Sequence, residues 1–407
     1  MKILLVKLSS LGDVVHTLPV VQDIMAALPD AKIDWVVEKS FAPLLQPLLL
    51  PGGGLRRVIA CELRRWRKAP MAALLRGQWG GFKSELQVDA YEAVIDLQGL
   101  SKSALVARLA RLAKDGKRYA MANQTDGSSF EAPSRWVAGV AIRMEPHSHA
   151  VQRGRELAAQ ALGYSFAPTP DFGLNTLPAP IEWAPTAPEN TAPENMAEDE
   201  WRPSRVAFVH GTSRADKQWP AGNWIALGTR LNAAGFEVVL PHGSVSEYSD
   251  AHAIARPLNQ SDDATPGARV LPVLSLDALT RELSGCAGVI GVDSGISHIA
   301  VALGLPHVQI YNFDTAWRTG PPGVAPDASG AVPVQQQFSV FAHPFPEVYA
   351  VWQAWLACGV KADVDAGAGA DAPVGLQVDS PAAFVPPAFS AARLAGADFS
   401  DTEPSPS

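Results

Sequence analysis

Short, largely apolar runs recur along the chain at residues 3–6, 33–37, 93–97, 206–209, 238–240, 289–292 and 308–311, interrupted by a polar side chain only at Asp34, Asp96 and Gln309. A strand covered on both faces is apolar at successive rather than alternate positions, so these runs predict buried parallel strands. Between them, apolar residues fall at helical spacing over 14–28, 101–114, 223–234, 276–284 and 297–303. Strand–helix alternation predicts an α/β chain with parallel sheets and helices on both faces. The stretch EVYAVWQAWLACG, 347–359, predicts a closing helix.

The pattern breaks twice. Residues 175–203 hold TAPEN in duplicate, many Pro, and six acidic residues against Arg202. Such a segment has too little apolar surface to order itself and is expected to be a linker. From 359 onward the chain is rich in Ala, Gly, Pro and Ser, with seven acidic residues against two basic ones, and is expected to be a disordered tail. The expected organisation is a doubly wound domain over 1–174, the linker 175–203, a second doubly wound domain over 204–358 and the tail 359–407. Ligands of open α/β sheets sit beyond the carboxyl ends of the strands, so two such sheets point to a cleft between them.

Composition narrows the function. The 407 residues carry a net charge of −8, which argues against a general nucleic-acid binder. Cys61, Cys286 and Cys358 are scattered, with no CxxC pair and no metal-ligand spacing, as expected in a reducing cytoplasm. The N-terminal apolar run is broken at Lys7 and Asp13, too short for a signal peptide. No apolar stretch reaches the roughly 20 residues needed to span a bilayer.

Five segments carry candidate chemistry. In KLSSLGDVVHTLP, 7–19, Asp13 stands where a strand passes into a helix. It is either a helix N-cap or a general base facing the cleft. Only Gly12 is present where a nicotinamide-binding G-x-G-x-x-G would need three glycines. In HGTSRADKQWP, 210–220, Thr212 and Ser213 offer donors, and Lys217 places a positive charge before the helix that Pro220 opens. That set suits a diphosphate or a solvated polar loop. In GVIGVDSGISHIAVALG, 288–304, Asp293, Ser294 and Gly295 end a strand and start a helix, with His298 one turn in. Gly295 would let a phosphate approach the helix N-terminus, and Asp293 would cap the helix or orient a hydroxyl. Glu247, in LPHGSVSEYSDA, either accepts from sugar hydroxyls or starts a helix. In LRRWRKAP, 63–70, Arg64, Arg65, Arg67 and Lys68 join Arg56 and Arg57, giving six basic residues against Glu62. This inverts the local charge and suits either an anionic acceptor and membrane surface or a solvated face.

Taken together, MKILLVKLSSLGDVVHTLP, LRRWRK, VIDLQGLSKSAL, HGTSRADKQWP and GVDSGISHIAVAL resemble the heptosyltransferases of glycosyltransferase family 9 over residues 1–311. The resemblance implies the GT-B fold, two Rossmann-like domains facing across a cleft. It implies transfer of heptose from ADP-L-glycero-β-D-manno-heptose to the Kdo of Kdo2-lipid A, on the cytoplasmic face of the inner membrane. Asp13 matches the general base, Lys217 the lysine at the donor phosphates, Glu247 the acid at the ribose and Asp293 the acid at the heptose. Thr212, Ser213, Ser294, Gly295 and His298 fall in the same donor motifs. Ser10, Gly12, Arg64, Arg65, Arg67, Lys68 and Lys102 match acceptor positions, whereas Phe130 departs from an expected Arg. The implied reaction is inverting and independent of metal. Competing readings are a family member acting on a heptosylated acceptor, a nucleotide-dependent oxidoreductase and a sugar-nucleotide sensor.

Overall fold

The computed structural model describes residues 1–174, 204–260, 266–323 and 334–361. The expected linker, and the expected tail beyond residue 361, lie outside the described residues. The first lobe contains β1 (Lys2–Val6), β2 (Lys32–Glu38), β3 (Leu55–Cys61), β4 (Ala90–Asp96), β5 (Arg111–Met121) and β6 (Val140–Ile142). The second contains β7 (Arg205–Val209), β8 (Glu237–Leu240), β9 (Ala268–Val270), β10 (Gly288–Val292), β11 (His307–Tyr311) and β12 (Gln337–Phe341).

Each lobe is one six-stranded sheet, ordered β3-β2-β1-β4-β5-β6 and β12-β11-β10-β7-β8-β9. Every pairing is parallel. Read from its own first strand, the second sheet repeats the order of the first. In both, the chain reverses direction across the sheet between first and fourth strands, β1/β4 and β7/β10. A crevice opens beyond the carboxyl ends of the strands at such a point.

The apolar runs supplied the central strands. The edge strands β3, β6, β9 and β12, and the long β5, carry no such run, because half-covered strands tolerate polar residues. β5 overrides the predicted helix 101–114: the helix is Ser101–Leu109, and the following Arg111, Lys114, Lys117 and Arg118 lie on a strand. The predicted helix 14–28 is two helices, Leu11–Val15 and Leu18–Ala27. Pro19 has no N–H with which to continue the first ladder, and Thr17 Oγ1 donates to Asp13 O at 2.8 Å instead.

Two glycines set how closely the lobes approach. A Cβ on Gly12 would lie 2.7 Å from His298 Cδ2, and one on Gly295 would lie 2.7 Å from Leu11 Cβ. The helices Leu11–Val15 and Gly295–Ala302 therefore meet backbone to side chain across the junction. The helix Leu276–Ser284 adds a second contact, against the 3-10 helix Ala42–Leu49.

The first lobe is tied internally by a buried ion pair. Arg155 Nε and Nη2 donate to Asp23 at 2.7 and 2.9 Å, and Arg155 Nη1 donates to Pro168 O at 3.2 Å. This clamps the helix Ala150–Leu162 onto Leu18–Ala27. Removing one member would strand the other charge in the core. Asp23→Ala is expected to lower stability by about 3–5 kcal/mol, read from the urea midpoint at unchanged slope. A loss below about 1 kcal/mol would show the pair to be dispensable.

Candidate active site

The loop after β1 carries the first candidate group. Ser10, not Asp13, is the N-cap of the helix Leu11–Val15, and Asp13 is its third residue. Asp13 Oδ2 accepts from Ser10 N at 3.0 Å and from Ser10 Oγ at 2.8 Å, completing a capping box. Its other oxygen faces Lys7 Nζ at 3.3 Å. The Lys7 side chain is 8% exposed and the Asp13 side chain 40%. Burial alone would raise the Asp13 carboxyl, but the Lys7 ammonium and the Ser10 donors outweigh it and hold the group at about 2. Asp13 is thus both a capping group and an ionised carboxylate open to the cleft.

Lys7 is aimed by its surroundings. Its ammonium donates to Leu97 O at 3.0 Å, while its own carbonyl accepts from Trp35 Nε1 at 3.0 Å. Gln98 grips the next two residues: its Oε1 accepts from Leu8 N at 2.7 Å and Ser9 N at 3.2 Å, and its amide donates to Ser9 O. Behind it, Asp96 accepts from Gln98 N, Gly99 N, Ser103 Oγ and Ser134 Oγ at 2.9–3.1 Å. Burial pushes the Asp96 carboxyl up against these donors, as befits a structural group. A narrow pocket, with room for only about 10 Å3 of water, is lined by Lys7, Asp13, His16, Thr17 and Arg153, among others.

The second lobe supplies the opposing groups. Lys217 ends the 3-10 turn Ala215–Lys217 after β7 and pairs with Asp293 Oδ2 at the end of β10. Asp293 Oδ1 lies 3.5 Å from His298 Nε2. Burial would raise the Asp293 carboxyl, but His298 and Lys217 hold it well below the usual range. Asp293 does not cap the following helix; Ser294 does, and Ser294 Oγ is buried with no partner among the described residues. Gly295 does not present an open cradle here, since Leu11 fills the space beside its Cα.

The two halves meet through histidines. The His16 and His298 ring centroids are 4.3 Å apart, and His16 and His149 are 6.1 Å apart. Burial holds the His16 imidazole well below its usual range, and His298 and His149 push the same way. Contacts therefore run from the Asp13 helix through His16 and Gly12 to His298, Asp293 and Lys217.

The remaining candidates divide. Lys102 Nζ donates to Ser9 Oγ beside Asp13, and burial together with the Arg64 charge lowers its pKa. Arg64, Arg65, Arg67 and Lys68 are exposed on the helix Leu63–Lys68. Arg65 pairs with Glu62 at 3.1 Å, and Arg64 N donates to Glu38 at 3.3 Å. Thr212 is half-buried and Ser213 exposed on the loop after β7. Glu247 accepts from Gly243 N at 2.7 Å at the start of the helix Val245–Leu258, with its carboxylate against Gly211. The sequence reading did not single out Lys7, Gln98 or Arg153. Lys7 had one signal, a lone cation closing an apolar strand. Arg153, on a helix far along the chain, had none.

A family model described as glycosyltransferase family 9 (heptosyltransferase) matches residues 79–339. The lipopolysaccharide heptosyltransferase 1 of Escherichia coli K12 is 35% identical over 315 residues, 76% of this chain and 88% of the relative. That of Pseudomonas aeruginosa is 35% identical over 327 residues, 79% of this chain and 81% of the relative. The solved E. coli heptosyltransferase WaaC with ADP superposes with a TM-score of 0.65 at 31% identity, covering 87% of this chain and 98% of its own.

Asp13 is a stronger acid in the fold, at about 2, than in an unfolded chain, near 4. Its ionisation contributes stability fully present above about pH 4 and lost as pH falls to about 2. Lys7→Met removes the main opposing charge and leaves burial in place. The Asp13 carboxyl is expected to titrate at higher pH in this variant, followed by carbon NMR of the side chain. An unmoved titration would show that Lys7 does not set it.

Proposed function

Because the chain belongs to glycosyltransferase family 9, the heptosyltransferases, we propose that it moves a heptose from ADP-L-glycero-β-D-manno-heptose onto the Kdo of Kdo2-lipid A, with inversion. It is a glycosyltransferase of GT-B architecture, similar to lipopolysaccharide heptosyltransferase 1 and to a WaaC structure holding an ADP-heptose analogue. The observation that carries the proposal is the lobe junction, where the helix of ionised Asp13 packs through Gly12 against His298, beside the Lys217–Asp293 pair of the other lobe.

In the proposed reaction, the acceptor hydroxyl attacks the anomeric carbon from the face opposite the diphosphate. The new C–O bond forms, the bond to the β-phosphate oxygen breaks, and ADP departs with the electron pair. The hydroxyl proton passes to Asp13. A carboxylate at about 2 is a weak base toward an alcohol, so transfer comes late, after bond formation has acidified the hydroxyl. The charge growing on ADP is met by Lys217, and the N–H groups at the start of Gly295–Ala302 add to it. The diphosphate competes with Asp293 for Lys217, which leaves Asp293 free for a heptose hydroxyl. Thr212, Ser213 and Glu247 complete the donor side. Arg64, Arg65, Arg67, Lys68 and Lys102 meet the carboxylates and phosphates of the acceptor, with Ser10 and Gly12 beside its hydroxyl. The acceptor is a membrane lipid, so the protein works as a peripheral enzyme at the cytoplasmic face of the inner membrane.

The deciding measurement is ADP release from ADP-heptose, with no acceptor, with Kdo2-lipid A and with its heptosylated product. Release only with Kdo2-lipid A supports the proposal; release only with the heptosylated lipid assigns the chain to the activity of heptosyltransferase 2. Asp13→Ala is expected to lose about 100-fold or more in kcat with ADP-heptose affinity nearly unchanged, and near-normal turnover would remove Asp13 from the chemistry. With charge stabilisation assigned to Lys217 and a helix terminus, the rate is expected to persist in excess EDTA. Abolition by EDTA and restoration by Mg2+ would contradict this assignment.

A further inference from the structure

Between β3 and β4 the chain leaves the sheet for three short helices, Leu63–Lys68, Pro70–Leu75 and Gln78–Leu86. An aromatic group holds the first and third together: Trp66 lies 5.7 Å from Trp79 and 5.5 Å from Phe82, ring centroid to centroid. Ala73 of the middle helix is buried. The opposite face of that helix is bare: Met71 is 68% exposed, Leu74 63% and Leu75 82%. Positions i, i+3 and i+4 share one helical face, so the three side chains form one apolar ridge. Large apolar side chains set together in water mark an interaction surface.

The charge around the ridge indicates what covers it. Residues 63–86 carry Arg64, Arg65, Arg67, Lys68, Arg76 and Lys83 against Glu85 alone, in a chain of net charge −8. All six basic residues are exposed, and only Arg65 has a carboxylate within 4 Å among the described residues. A cationic helical surface with an apolar ridge matches an anionic bilayer: the ridge enters the acyl boundary while Lys and Arg stay at the headgroups. An apolar protein partner would not call for this one-sided charge.

We propose that the helix Pro70–Leu75 is a membrane-docking element, seating Met71, Leu74 and Leu75 in an anionic lipid surface. This deepens the reading of a membrane-borne acceptor, on which it rests for the identity of the surface. The docking helix follows directly on the helix that carries Arg64. Arg64, on the neighbouring helix, acts on the Lys102 charge beside Asp13.

The test uses the full chain and acceptor-free vesicles of phosphatidylethanolamine, with and without phosphatidylglycerol, scored by co-flotation. Wild type is expected to float with the phosphatidylglycerol vesicles and less with the neutral ones. Met71→Ser, Leu74→Ser and Leu75→Ser combined are expected to weaken partitioning by about tenfold or more. Transfer to an acyl-free Kdo acceptor in solution should be unchanged, which also reports that the variant folds. Wild type that ignores both vesicles, a variant that floats like wild type, or a dimer lost in the variant without loss of flotation would each overturn the proposal. Because these vesicles hold no sugar acceptor, a failed transfer reaction with intact flotation would fault the functional reading instead.

Discussion

The contact on which the rest depends is the meeting of two helix starts across the lobe junction. Gly12 lies on His298 and Gly295 lies on Leu11, each at a spacing that no side chain would allow. Protein interiors have little room to spare, so one added methyl on either glycine would push the helices apart. The crevice groups ride on the same elements. Asp13 is on the helix that carries Gly12, and Asp293 precedes the helix that begins at Gly295. A shift of the junction would change the distance between acid and cation directly.

Around that junction, burial and pairing work against each other, and pairing prevails at both acids. Desolvation would neutralise Asp13 and Asp293. Lys7 and Ser10 keep the first ionised, and His298 and Lys217 the second. At Asp96 the balance goes the other way: four donors surround a carboxyl that burial still raises. Similar carboxyls at similar strand ends thus serve different ends, one as scaffold and two as ionised groups paired with cations or histidine. Asp96 and Gln98 fix the backbone at Leu8 and Ser9, which lets the short helix that follows hold Asp13 in place.

The basic run at 64–68 is one edge of a larger device. Alone it reads equally as a solvated helix face. Its company in the fold is an exposed apolar ridge on one side and Lys102 beside the Asp13 loop on the other. That arrangement places a cationic surface and an apolar ridge on the lobe that carries Asp13.

Much of the fold could be read along the chain. Central strands are covered on both sides, so β1, β2, β4, β7, β8, β10 and β11 appear as largely apolar runs, interrupted by a polar side chain only at Asp34, Asp96 and Gln309. Edge strands are wetted on one side and lose that signature, and β5, rich in Lys and Arg, looks helical by pattern. Asp13, Lys217 and Asp293 stood out because each lies between a strand and the following helix or in that helix's first turn, a local feature that the sequence alone determines. Tertiary structure decided their partners. Asp293 for Lys217, and His298 against the Asp13 helix, come from chain segments brought together by packing, where a one-dimensional pattern has no reach; Lys7 stands only six residues before Asp13, and the fold decided that the two meet. It also decided that Gly295 faces Leu11, because close approach depends on distance in space and not on order along the chain.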